Sequence, residues 1–414
     1  MAIDQFFLLF AVILIAARVF SETAVRFGIP AVIGELAAGM LLGPTLLGWV
    51  SPSETMMLLA EIGIILLLFE VGMDTDLYRL GRSGAKPIIV ALVGFILPFA
   101  LGYVVSRYLF DLSAIISLFV GGTLTATSIG ITVRVLDDLG RRHSDEAQIV
   151  IGAAVLDDIL GVLALAFLYH FAEQQQVSFA ATGEVALYIV LFMLVSPFVA
   201  KLAGHLIGRL DRKAATPGLL LTMALSLILL FSWLAHAVGA PVIMGGFAAG
   251  LALSQHFHLT IPGPTTRSRF GIRQRLGSWF APSPRLHHEL ETQMRPLIHT
   301  FAPLFFVMVG VSLDLNAVDW NSNLVWQLGG TLLLVALLGK LAAGFCIRES
   351  RRAQTAIGLA MIPRGEVGLI FAQLGLAQGI LDAQLYAALL LVIALTTLLP
   401  PFLLKAFYSR YPLP

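Results

Sequence analysis

Charge is scarce in this chain. Lys, Arg, Asp and Glu make up 12% of its 414 residues and hydrophobic residues 58%, where a soluble globular protein holds about 25% charged and about 45–50% apolar residues. That deficit excludes a water-soluble globule and marks a polytopic membrane protein. The charge balance is small too: 26 basic against 25 acidic residues leave +1, which gives no footing for a nucleic-acid partner. A single cysteine, Cys346, excludes an intramolecular disulfide and any cysteine-built metal site. The start, Met1-Ala-Ile-Asp-Gln-Phe, lacks the basic region and the cleavage site of a signal peptide, so its apolar run reads as a retained first span. Neither a His-Glu-x-x-His zinc motif nor a Gly-x-Ser-x-Gly elbow occurs, which leaves an intramembrane enzyme without its usual residues.

Long apolar runs, by contrast, are abundant. Thirteen of them approach the length of a transmembrane helix, which predicts an all-α membrane protein with 13 spans in one transporter unit over 1–414. Basic residues follow the odd-numbered spans from the third onward, for example Arg79 and Arg82, Arg141 and Arg142, and Arg348, Arg351 and Arg352. Loops after the sixth, tenth and twelfth carry acids only, such as Glu173, Asp314 and Asp382. The positive-inside rule then puts the N-terminus outside and the C-terminus in the cytoplasm. The longest connection, 255–295, is a cytoplasmic basic linker with Arg267 to Arg285 around Phe270, Trp279 and Phe280. Two readings stay open for it, an amphipathic segment on the inner leaflet and a plain tether.

Two motifs occur twice in the same order. Pro30-Ala-Val-Ile-Gly34-Glu-Leu-Ala-Ala-Gly39 returns as Pro241-Val-Ile-Met-Gly245-Gly-Phe-Ala-Ala-Gly250, and Leu66 to Leu77 returns as Leu304 to Leu315. The pattern predicts a first repeat over 29–206 and a second over 217–408, running through the membrane in opposite directions. Inverted repeats build many secondary transporters, with the substrate near the midplane between them.

The chemistry concentrates in Gly152-Ala-Ala-Val-Leu-Asp157-Asp158-Ile-Leu-Gly161, two carboxylates inside an apolar run. Each costs about 2.5–3.5 kcal/mol at a bilayer centre, so such a pair implies a function. Adjacent helical positions diverge by about 100°, so one carboxylate is expected to face a cation path and the other a fixed base. Lys340 is the only base inside the eleventh span; it either snorkels to the interface or supplies that counter-charge. Span five holds Thr123-Leu-Thr125-Ala-Thr127-Ser128-Ile-Gly130 and span twelve Met361-Ile-Pro363-Arg364-Gly365-Glu366-Val-Gly368. Breakers and hydroxyls at mid-membrane predict interrupted helices whose carbonyls and ends line a cavity. Arg364 and Glu366 read as structural support for these breaks, satisfying each other or the helix ends. Glu70 is a further buried acid in the same supporting group, its partner not readable from sequence. His205 and His236, near span ends, are open to a pH-sensing reading or to none.

Taken together, Gly122 to Gly130, Gly152 to Asp158 and Pro363-Arg364-Gly365-Glu366-Val-Gly-Leu-Ile370 resemble the monovalent cation:proton antiporter-2 family, and within it the NapA-type sodium/proton antiporters. The resemblance covers nearly the whole chain. It implies an NhaA-like fold with two crossed discontinuous helices, a likeness to bacterial inner-membrane proteins and a homodimer. It also implies Na⁺ at Asp158, with Thr127 and Ser128 lining the ion site, Asp157 as second acid and Lys340 as its charge partner. No cofactor is expected beyond the transported Na⁺ and H⁺, the partners being monovalent cations, protons and the bilayer. Relatives of the potassium-efflux branch carry a soluble regulatory domain; the sequence to Pro414 shows none. The resulting expectation is an electrogenic sodium (lithium)/proton antiporter working by alternating access. Potassium/proton exchange and a sodium-coupled solute symporter are the alternatives.

Overall fold

The structure is a computed structural model, and it describes residues 3–74, 84–174, 183–184, 186–192, 195–196, 199, 202, 218–253 and 284–411. Among these residues the fold is all helical. In chain order the helices are α1 (Ile3–Arg26), α2 (Ala31–Leu42), α3 (Glu54–Asp74), α4 (Lys86–Val104), α5 (Ala114–Thr123), α6 (Ile129–Asp138) and α7 (Asp145–Gln174). There follow α8 (Leu219–Ala237), α9 (Val242–Leu253), α10 (Pro284–Ser312), α11 (Asn323–Phe345), α12 (Arg351–Ala360), α13 (Glu366–Ala377) and α14 (Ala383–Arg410).

Eight described helices are long and apolar enough to cross a membrane, and α2, α5, α9 and α13 are shorter apolar helices. The shortness of α5 and α13 has a local cause. The expected fifth and twelfth spans are each split, at Leu124–Ser128 and at Met361–Gly365, into α5–α6 and α12–α13. The expected seventh span, 183–206, is described only in part, and His205, Arg79, Arg82 and most of the 255–295 linker lie outside the described residues. The end of that linker is helical, since α10 begins at Pro284 and buries Leu290 and Met294.

Start signals match their helices. Ser113, Ser128, Ser322, Ser350 and Asp382 cap α5, α6, α11, α12 and α14, each side chain accepting from the N–H of the third residue on. Gly28, in the left-handed region at φ +69, turns the chain from α1 to Pro30 and α2; Gly239 at φ +79 does the same between α8 and Pro241 before α9. These two hairpins pack alike. A Cβ at Gly34 would land on the backbone of Phe20 and Ser21, and one at Gly245 on that of Phe231 and Ser232.

The chain forms two compact units. The first comprises Met1–Gly63, Ser83–Ala186 and Phe301–Pro414 and the second Ile64–Arg82 and Leu187–Thr300, so α3 and α10 are divided between them. In the first unit α4 packs on α7 and α11, α11 on α12 and α14, and α5 on α13. Their apolar faces close over Phe119, Leu332, Phe371, Leu389 and Leu390, all fully buried. The same unit seats α2 against the second half of α10 through Gly39 and Gly310. In the second unit α8, α9 and the end of α3 pack together, with Gly250 on the backbone of Phe69 and Gly72 on that of Phe247.

Candidate functional site

The two helix breaks meet each other. Ser128 N donates to Pro363 O at 2.8 Å, and Thr127 Oγ1 to Met361 O at 3.1 Å. Arg364, from the second break, donates through Nη1 to the carbonyls of Thr125 and Ala126 in the first, the latter at 2.9 Å. Its own carbonyl accepts from Thr397 Oγ1 of α14 at 2.7 Å. Thr132 Oγ1 adds a bond to Ala360 O at 2.8 Å. Backbone that has left the helix inside a membrane must find partners in the protein. Here each break supplies them to the other.

Contact between the breaks is close enough to require a glycine. A Cβ at Gly365 would stand 2.7 Å from Ser128 Oγ and 2.8 Å from its Cβ. With no side chain at 365, the cap of α6 and the start of α13 share one space.

α7 crosses this junction and delivers the paired aspartates. Asp157 is fully buried and Asp158 is 3% exposed. Asp157 Oδ2 accepts two donors at 2.8 Å, the backbone N–H of Thr127 and Lys340 Nζ of α11. Its Oδ1 has no hydrogen-bond partner among the described residues. The lysine does not snorkel: its side chain, like that of Asp157, has no exposure. Asp158, the next residue on α7, lies within electrostatic reach of the same ammonium.

The Lys340 side chain runs past Gly94 of α4, where the absence of a side chain leaves it room. A Cβ at Gly94 would touch Lys340 Cδ and Nζ at 3.6 Å, and one at Gly339 would press Pro98 Cγ at 2.8 Å. Pro98, inside α4, has no N–H to close its turn.

The structure therefore brings Asp157, Lys340, Thr127, Ser128 and Arg364 into one contact network with Asp158 beside them. Of the two partners considered for Arg364, the described contacts are with the carbonyls of the first break. Glu366 opens α13, and its side chain lies outside the described residues. Glu70 is buried on the part of α3 that belongs to the second unit. Sequence reasoning passed over Gly94, Gly339, Thr132 and Thr397. It also passed over Glu35, a fully buried acid in α2, although an acid in a short apolar helix is flagged by the same cost that singled out the aspartates.

Known proteins share this architecture. The sodium/hydrogen exchanger family (transmembrane) matches residues 8–267 and 276–408. The high-affinity Na⁺/H⁺ antiporter NhaS3 of Synechocystis sp. is 34% identical, over 96% of this chain and 88% of that protein. The Na⁺/H⁺-K⁺ antiporter GerN of Bacillus cereus is 32% identical, over 97% and 96%. Among solved structures, the sodium proton antiporter MjNhaP1 of Methanocaldococcus jannaschii at pH 8 superposes with a TM-score of 0.65, covering 97% of this chain and 96% of that one at 16% identity. The fold is thus that of a multi-pass membrane transporter, not an enzyme. More particularly, the chain belongs to the sodium/hydrogen exchanger family.

Proposed function

We propose that this protein exchanges Na⁺ for protons across a membrane, with the Asp157–Asp158 pair at the meeting of two broken helices as its exchange site. The observation that carries the reading is the Asp157–Lys340 contact at 2.8 Å, fully buried beside the first break. A carboxylate in a water-poor site needs a positive partner, and a proton or a metal cation each meets that need. For Asp158 the two compete: Na⁺ displaces H⁺ and H⁺ displaces Na⁺. Thr127 Oγ1 gives its hydrogen to Met361 O, and the lone pairs left on that oxygen suit a cation. Ser128 accepts from Ile131 N with one lone pair and keeps the other.

In the same reading Asp157 leaves Lys340 when it turns to the cation. The stranded ammonium then releases a proton, so a second H⁺ moves per cycle and the exchange is electrogenic. Alternating access follows if only the neutralised site crosses between the two faces. Na⁺ and H⁺ are cargo, and no cofactor enters.

The two hairpins α1–α2 and α8–α9, matched at Gly28 and Gly239, Pro30 and Pro241, Gly34 and Gly245, support inverted repeats within a thirteen-span protein. In this reading the repeat starts one span earlier than 29, so that span one pairs with span eight, two with nine and five with twelve. The seventh span then joins the repeats. A homodimer in a bacterial inner membrane, N-terminus outside, completes the proposal and rests on the charge pattern and the family. Potassium is the second reading for the cargo, favoured by the likeness to GerN, whose name includes K⁺.

The test is cation-driven collapse of an imposed pH gradient in proteoliposomes, comparing Na⁺, Li⁺ and K⁺ for the native chain and Asp158→Asn. Collapse by Na⁺ and Li⁺ that is lost in the variant supports the proposal; collapse by K⁺ alone selects the second reading. A native protein that moves no protons with any cation overturns both and brings the solute symporter forward.

A further inference from the structure

α6 serves two places. Its cap, Ser128, lies at the two-break junction, and its far end, about 15 Å along a ten-residue helix, lies against the start of α2. There Arg134 Nη2 is 3.4 Å from Glu35 Oε1, and Arg134 Nε is 3.7 Å from Asp138 Oδ1. Asp138 also lies within electrostatic reach of the backbone N–H groups of Ala31 and Val32, the first residues of α2. A carboxylate at that place suits the positive end of the α2 dipole. Glu35 is fully buried, and its Oε2 has no hydrogen-bond partner among the described residues. The other charges nearby are Arg18 on α1, within electrostatic reach of Glu35, and Asp137, which pairs with Arg142 at 3.8 Å.

Two features set this cluster apart from a permanent strut. The Arg134 contacts to Glu35 and Asp138, at 3.4 and 3.7 Å, are longer than the about 2.7–2.9 Å of tight charge-assisted bonds, and the Arg134 side chain keeps 14% exposure. Moreover, only one repeat carries it. The position of Glu35, after Gly34, is held in the second copy of the motif by Gly246, after Gly245. Inverted repeats place equivalent positions at opposite ends of the molecule, so a feature present in one copy ties one end and leaves the other without that tie.

We propose that Glu35, Arg134 and Asp138 form a latch that holds α6 against α2 while one face of the protein is shut and parts when that face opens. None of the three touches the exchange site. They act as positioning residues, through α6, on Thr127 and Ser128, and the latch rests on the antiport reading given above.

The test uses the full chain in proteoliposomes of uniform orientation. Half-saturating Na⁺ is measured on each face for the native protein, Glu35→Gln, Arg134→Gln and the double variant. Each single change is expected to move the two half-saturation values in opposite directions by about three- to tenfold, and the double change to add little to either. Equal shifts on both faces, or additive effects, overturn the latch and leave a structural ion pair. A second readout is independent of transport. In a Cys346→Ser background, which removes the exposed native thiol, Thr132→Cys is reacted with a membrane-impermeant maleimide from either side. Glu35→Gln is expected to raise labelling from one side at least about threefold; unchanged labelling overturns the latch. Native protein that shows no antiport is a failure of the functional reading alone, since the labelling still decides the latch.

Discussion

Lys340 Nζ lies 2.8 Å from Asp157 Oδ2 with both side chains fully buried. Removing one member of such a pair leaves the other charge stranded, at a cost of about 3–5 kcal/mol unless a proton neutralises it. Lys340→Gln is therefore expected to lower the melting temperature of the detergent-purified protein and to retain Na⁺-driven proton movement. In the proposed cycle it also loses the second proton. Transport by the variant should then be insensitive to an imposed membrane potential, while that of the native protein responds to it. A variant that still responds to potential removes Lys340 from the charge count.

The wall behind that lysine gives a sharper test, because it separates room from chemistry. A Cβ at Gly94 meets Ala343 Cβ at 3.5 Å and Lys340 at 3.6 Å, ordinary contact distances. Gly94→Ala should fit, and it gains up to about 1 kcal/mol from helix propensity. Gly94→Val adds two methyls where the lysine stem runs, an overpacking that costs about 1–3 kcal/mol. The expected outcome is near-native exchange for the alanine variant and a raised half-saturating Na⁺ for the valine variant, read in the same pH-gradient assay. Equal behaviour of the two shows that Lys340 does not depend on this wall.

Arg364 fixes the first break from the second. Its Nη1 serves the carbonyls of Thr125 and Ala126, while Nε and Nη2 have no hydrogen-bond partner among the described residues. Hydrogen bonds to a charged donor contribute about 1.5–3 kcal/mol each. Arg364→Gln is expected to lower the melting temperature by several degrees and to abolish exchange. Arg364→Lys keeps the charge without the planar fork, so partial recovery of stability with poor exchange is expected. Full recovery by lysine makes charge, and not geometry, the requirement.

Much of this arrangement was legible because intramembrane polarity is expensive. Asp157, Asp158 and Lys340 stand out in apolar runs, and Pro363 and Gly365 mark a break where a span must otherwise continue. What could not be read was which atom meets which. Thr127 contacts Asp157 through its backbone N–H, its hydroxyl being turned to Met361 O, and no spacing rule distinguishes these. The Glu35–Arg134 pair joins residues 99 positions apart, and no spacing rule links them. The start of the repeat is hard to read from sequence for a similar reason. The motif Pro30 to Gly39 is conspicuous, whereas what Gly34 meets on α1 is backbone, at Phe20 and Ser21, and backbone leaves no mark in sequence.

That same backbone packing yields a matched pair of predictions. A Cβ at Gly39 would land on the carbonyl of Val307 in the first unit, and one at Gly250 on the carbonyl of Phe69 in the second. Gly39 and Gly250 occupy equivalent places in the repeated motif. Val307 and Phe69 do so in the other repeated stretch. If the repeats are structural equivalents, Gly39→Ala and Gly250→Ala force the same separation of a helix pair and should be destabilising to a similar degree, about 1–3 kcal/mol each by overpacking. Thermal unfolding of the two single variants measures this directly. Because each glycine packs within a different compact unit, the double variant is expected to lose the sum of the two effects, as distant sites do. A large loss from one substitution and none from the other shows instead that the likeness of the two motifs ends at their sequence.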